Sequence, residues 1–81
     1  MRYYFHVKDG VTTFDNEGLE LPGIAAVKEE ALLSSAEILR SRVGPEFWTG
    51  EAWTIFVTDL PDGCGNTILS LAVTGMAGEV N

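Results

Sequence analysis

Cysteine is almost missing from this sequence: Cys64 stands alone, so no intramolecular disulfide can staple the chain. Histidine is equally scarce, and with His6 as the only one there is no Cys/His set from which to build a zinc site. Basic residues number five against twelve acidic ones, and the resulting net charge of −7, with Lys and Arg scattered, disfavours phosphate backbones. Direct nucleic-acid binding is therefore not expected. Long hydrophobic runs are absent too, and no charged start leads into an apolar stretch. Neither helical membrane insertion nor secretion is therefore expected, and a reducing cytoplasm is the expected location. Glycine-rich phosphate loops, dinucleotide fingerprints and internal repeats do not occur. At 81 residues the chain makes one domain, near the size at which a single core holds a fold only marginally, so self-association is the stabiliser left.

What is present is one long helical pattern, from Ile24 to Leu39 within the stretch Pro22 to Arg42. On a helix, Ile24, Val27, Ala31, Leu32, Ser35, Ile38, Leu39 and Val43 fall on one broad side, and Glu29, Glu30, Glu37, Arg40 and Ser41 on the other. Gly44 and Pro45 supply the stop, while the early glutamates and late arginines suit the helix dipole.

The remainder reads as short strands. Arg2 to Lys8 is aromatic and β-branched and runs into Asp9-Gly10, a dipeptide suited to a two-residue hairpin turn. That turn places Phe5 opposite Phe14 and Val7 opposite Thr12, with Tyr3, Phe5, Val7 and Phe14 on the core face. Tyr4, His6 and Lys8 then point outward. Asp15 to Gly18 breaks the strand, Leu19 to Leu21 resumes alternation, and Pro22-Gly23 opens the helix. After it, Trp53 to Thr58 predicts a third strand with Trp53, Ile55 and Val57 inward and Phe56 outward. A turn-rich loop, Asp59 to Asn66, leads to a fourth strand, Thr67 to Val73, with Leu69, Leu71 and Val73 inward and Ile68, Ser70 and Ala72 outward. The expected fold class is α+β: a two-layer β-β-α-β-β domain, residues 1–74, with a four-stranded antiparallel sheet in the order 2-1-3-4 and one helix on one face. Residues 75–81 read as a loose C-terminal tail.

The opening Arg2-Tyr3-Tyr4-Phe5-His6-Val7-Lys8-Asp9-Gly10, followed by Asp15-Asn16-Glu17-Gly18-Leu19-Glu20-Leu21-Pro22, an Ala-bearing helix and a strand from Trp53 to Asp59, resembles a bacterial family of short proteins known only as a domain of unknown function. The resemblance spans most of the chain and implies its boundaries, but no activity. It departs from the pattern at Gly23, where a polar cap is usual, and in the Pro61 to Gly65 loop, which is longer than usual. A looser similarity, Glu17-Gly18 through Leu21-Pro22-Gly23 to Glu29-Glu30-Ala31, is to the antitoxin half of Hic-type toxin-antitoxin pairs, and implies an antitoxin-like module.

No residue set names a reaction. His6 beside Tyr4 titrates near neutrality but has no positioned catalytic partner, and Ser34 and Ser35 have no histidine near them in sequence. Asp9, Asp15, Glu17 and Glu20 lack the rhythm of a calcium loop and read as solvated turn carboxylates, and Asp59, Asp62 and Asn66 as turn formers. Cys64 lies between glycines without a basic neighbour to activate it. The expectation is a non-enzymatic interaction or regulatory module with no cofactor and no metal. It forms a homodimer, or meets a protein partner, through the outer sheet face of Tyr4, His6, Phe56 and Ile68, too apolar for water. The competing expectation is a small-ligand or catalytic pocket with His6 near the aromatic pair Phe47 and Trp48.

Overall fold

The structure, a computed structural model, describes residues 1–41 and 45–78. Arg42, Val43 and Gly44, expected to finish the helix, lie outside the described residues. The chain runs β1 (Arg2–Lys8), β2 (Thr12–Thr13), β3 (Leu19–Glu20), α1 (Ile24–Ser41), β4 (Trp53–Thr58) and β5 (Thr67–Val73), with short 3-10 turns at Pro45–Trp48 and Pro61–Gly63. The sheet is antiparallel in the order β2-β1-β4-β5, and β3 also pairs with β1. The fold is thus the expected α+β arrangement, with the expected order of the four main strands and one small strand added.

Alternation along β1 and β4 sorts their side chains onto two faces. Tyr3 and Val57 form one core cluster with Val27 of the helix, and Trp53 and Ile55 form another with Ala31. Phe5, Val7, Leu69, Leu71 and Val73 pack around these clusters. The helix contributes a narrow seam, Val27, Ala31 and Ser35, spaced by four so that they stack above one another. Of this seam Val27 packs on Tyr3 and Val57, and Ala31 on Trp53 and Ile55. The side chains flanking it, Ile24, Leu32 and Leu33, at 46%, 61% and 59% exposed, face water. The broad apolar stripe expected of the helix is therefore half used.

Three further expectations are corrected. The first hairpin is offset by one residue, since Lys8 pairs with Thr12 and Val7 with Thr13, which makes Asp9-Gly10-Val11 a three-residue loop. A shift of one reverses every side chain beyond it, so Phe14 leaves the core face for the opposite one. In β5 the register shifts between the partners of Val57 and Thr58, which pair with Leu69 and Thr67. Ile68 is the extra residue of this bulge, and it packs against the Tyr3–Val27–Val57 cluster instead of pointing outward. Finally, within the tail expected at residues 75–81, Gly75 to Ala77 is tied down, Gly50 N–H bonding Gly75 O at 2.9 Å, Ala77 N–H bonding Trp48 O at 3.1 Å and Met76 bridging to Thr49, while residues 79–81 lie outside the described residues.

Candidate functional site

On the face of the sheet away from the helix, His6 lies opposite Phe56 of β4, and its ring centroid is 4.9 Å from that of Phe56 and 5.6 Å from that of Phe14. The segment after β2 folds back over this face, which buries His6 completely. Two hydrogen bonds fix the imidazole. Asp15 N–H donates to Nδ1 at 3.0 Å, and Nε2 sits 2.7 Å from Thr58 Oγ1. The Thr58 hydroxyl proton is already committed to Leu60 O, 2.6 Å away, so Oγ1 accepts and Nε2 carries the hydrogen. The ring is thereby held as the neutral Nε2–H tautomer. Burial pushes its pKa below the usual histidine range, against the upward pull of the Asp15 and Asp62 carboxylates.

Asp15 is the second organiser. One carboxylate oxygen accepts the Phe5 N–H at 3.1 Å, replacing the ladder bond that β2 would have supplied had it continued. The other accepts the N–H groups of Glu17 at 3.0 Å and Gly18 at 3.1 Å, the closure of an Asx turn. Burial pushes this carboxyl up, yet the bonds from Gly18, Phe5 and Glu17, helped by His6, leave it below the usual aspartate range. Its backbone carbonyl takes the Asp62 N–H at 3.2 Å, tying the second loop to the first. That loop is closed by Asp59, whose carboxylate accepts the Asn66 N–H at 2.7 Å. Gly18 lies so close to the Tyr4 ring that a Cβ there would strike it, so the turn also roofs Tyr4.

Of the four residues expected to form an interaction face, the structure keeps Tyr4, His6 and Phe56 on one face, His6 directly against Phe56, and removes Ile68 from it. His6 is sealed inside, Ile68 packs on the helix side, and Tyr4 and Phe56 remain half-buried. Asp15 proves to be a partly buried acceptor instead of a solvated turn carboxylate. Asp9, Glu17 and Glu20 do not gather with it, and among the described residues no group of three or more His, Cys, Asp or Glu could hold a metal ion. Glu20 instead meets the N-terminal ammonium at 2.7 Å. The aromatic neighbours of His6 are Phe14 and Phe56; Phe47 and Trp48 stack edge-on with each other, centroids 5.2 Å apart, Trp48 exposed and Phe47 against Gly75. Thr58 was not read as a partner of His6, and Phe14 was read on the core face. Thr58 shares outer-face parity with Phe56, a signal that was available; Phe14 needed the hairpin register.

A two-layer α+β domain whose only histidine is an internal fastener defines a class of fold and not of activity. Residues 2–74 match the family described as Domain of unknown function (DUF6894), and the chain belongs to that family. No curated protein and no solved structure matches it. Among the described residues no helix is long and apolar enough to cross a membrane.

Proposed function

We propose that the chain is a small non-enzymatic interaction module that works by associating with itself. One observation carries this reading: on a chain of only 81 residues the apolar core is left open at the edge of the sheet, where Leu69, Leu71 and Val73 are only half-buried. A domain this small gains stability most readily by covering such surface against another chain. The fastened state of His6 supports the non-enzymatic part, because a general acid or base must exchange its proton with a bound substrate. Both ring nitrogens are engaged with the protein's own groups. The exposed thiol of Cys64 suits a reducing cytoplasm. Sedimentation velocity across a concentration series tests the reading: a reversible monomer–dimer equilibrium is expected, and a chain that stays monomeric at high concentration and high salt overturns it.

A further inference from the structure

The two edges of the sheet are built differently. On the β1 side, the edge is broken into β2 and β3 of two residues each, the gap between them is filled by the Asp15 carboxylate, and Asp9, Asp15, Glu17 and Glu20 flank it. Short strands and edge charges are what prevent strand addition. On the other side, β5 is seven residues long, Thr-Ile-Leu-Ser-Leu-Ala-Val, without charge or proline. Its bulge is confined to the Thr67–Ile68 end, leaving Leu69 to Val73 in regular register with β4. Among the described residues no strand pairs with its far side. Alternate N–H and C=O groups of Leu69 to Val73 therefore point away from the sheet, and Leu69, Leu71 and Val73 are half-buried where the core reaches this edge.

We propose that Leu69 to Val73 is the self-association surface, pairing antiparallel with the same strand of a second copy about a two-fold axis normal to the sheet. The inference rests on the self-association reading and names its site. A second copy is the occupant that this strand fits. An antiparallel pair about a two-fold is self-complementary in its backbone bonds. Centred on Leu71, it places Leu71 of one copy against Leu71 of the other and Leu69 against Val73 on the helix side, with Ser70 against Ala72 on the outer side. Both helices then lie on one face, and the two apolar cores become continuous. Charge points the same way: two chains of −7 repel, and Thr67 to Val73 itself carries no charged side chain.

The test is hydrogen exchange of the β5 amides, read by NMR across a dilution series, alongside sedimentation of the wild type, of Ser70→Glu/Ala72→Glu and of Leu32→Glu. Ser70 and Ala72 are exposed, so the double variant should keep the wild-type circular dichroism. Expected are the outward-pointing β5 amides, those not bonded to β4, protected in the dimer and released on dilution, a dissociation constant raised at least about tenfold by the two glutamates, which face each other across the pair, and no change with Leu32→Glu. Dimerisation without protection of the β5 amides, or lost with Leu32→Glu and kept with the double variant, overturns the β5 assignment and leaves self-association standing. A wild type monomeric throughout overturns both.

Discussion

At the scale of single residues, the chain's behaviour in acid is set by His6. Its folded pKa lies below 6.5, so between that folded value and 6.5 the unfolded chain binds a proton that the folded chain refuses. Stability is then complete above about pH 6.5 and falls as the pH drops through the window beneath it. Asp15 acts further down: its folded pKa is below 3.8, so its contribution is present above that value and lost as the pH falls through the folded pKa. Urea midpoints should be flat above neutrality and decline below about pH 6.5, and His6→Gln should flatten the upper part of that decline. Asp15→Asn leaves one acceptor oxygen for three backbone N–H groups and places an amide donor near the Phe5 N–H or the turn. A loss of about 1–3 kcal/mol is expected from the same melts. Ser35 behaves in the opposite sense. Its buried hydroxyl has no hydrogen-bond partner, and Ala is the better helix former, so Ser35→Ala should raise the stability by up to about 1 kcal/mol, read as a higher urea midpoint.

At the scale of elements, the helix shows which part of an amphipathic pattern is used. Val27 is fully buried in the seam and Leu32 is 61% exposed, so Val27→Ala should cost about 2 kcal/mol, whereas Leu32→Ala should stay within about 0.5 kcal/mol despite deleting a larger side chain. Thermal melts of the pair decide it. The two loops differ in the same local way. Both Gly10 and Gly65 have positive φ, but a side chain at Gly10 meets open space, while one at Gly65 runs into Asp59 and Leu60. Gly65→Val should therefore be the more damaging of the two by urea midpoint, because it also disrupts the Asp59–Asn66 closure. Helix, β1, β4, β5 and their order were legible because each carries enough residues for its period to show. β2 was legible from the Asp9-Gly10 turn, but its register was not, and β3 was missed because two residues display no period. The bulge at Ile68 was hidden because one inserted residue leaves the alternation of Leu69, Leu71 and Val73 intact. The buried state of His6 was half legible, since alternation put Tyr4, His6 and Phe56 together on a face too apolar to be bare. What covers that face came from Phe14 to Gly18, whose position follows from the one-residue hairpin offset.

At the scale of the whole molecule, charge and burial oppose each other, and salt can separate them. A chain that dimerises is stabilised by mass action, about 2.7 kcal/mol at a hundredfold excess over the dissociation constant. For a domain of this size each kcal/mol moves the melting temperature by about 4–8 °C, so raising the concentration through that range should raise it by more than about 10 °C. Repulsion between two copies at −7 works against this until it is screened, and the Debye length shrinks from about 10 Å at 0.1 M salt to about 3 Å at 1 M. Added salt should therefore shift the rise to lower protein concentration. Lowering the pH towards 5.5 would not substitute for salt. At that pH the unfolded chain gains a proton that the buried His6 resists, so stability itself falls. Melting temperatures recorded across concentration at low and high salt, near pH 7.5, check the argument. A concentration dependence that steepens with salt is the expected outcome. A salt effect that is the same at every concentration would place the repulsion within one chain and count against the dimer.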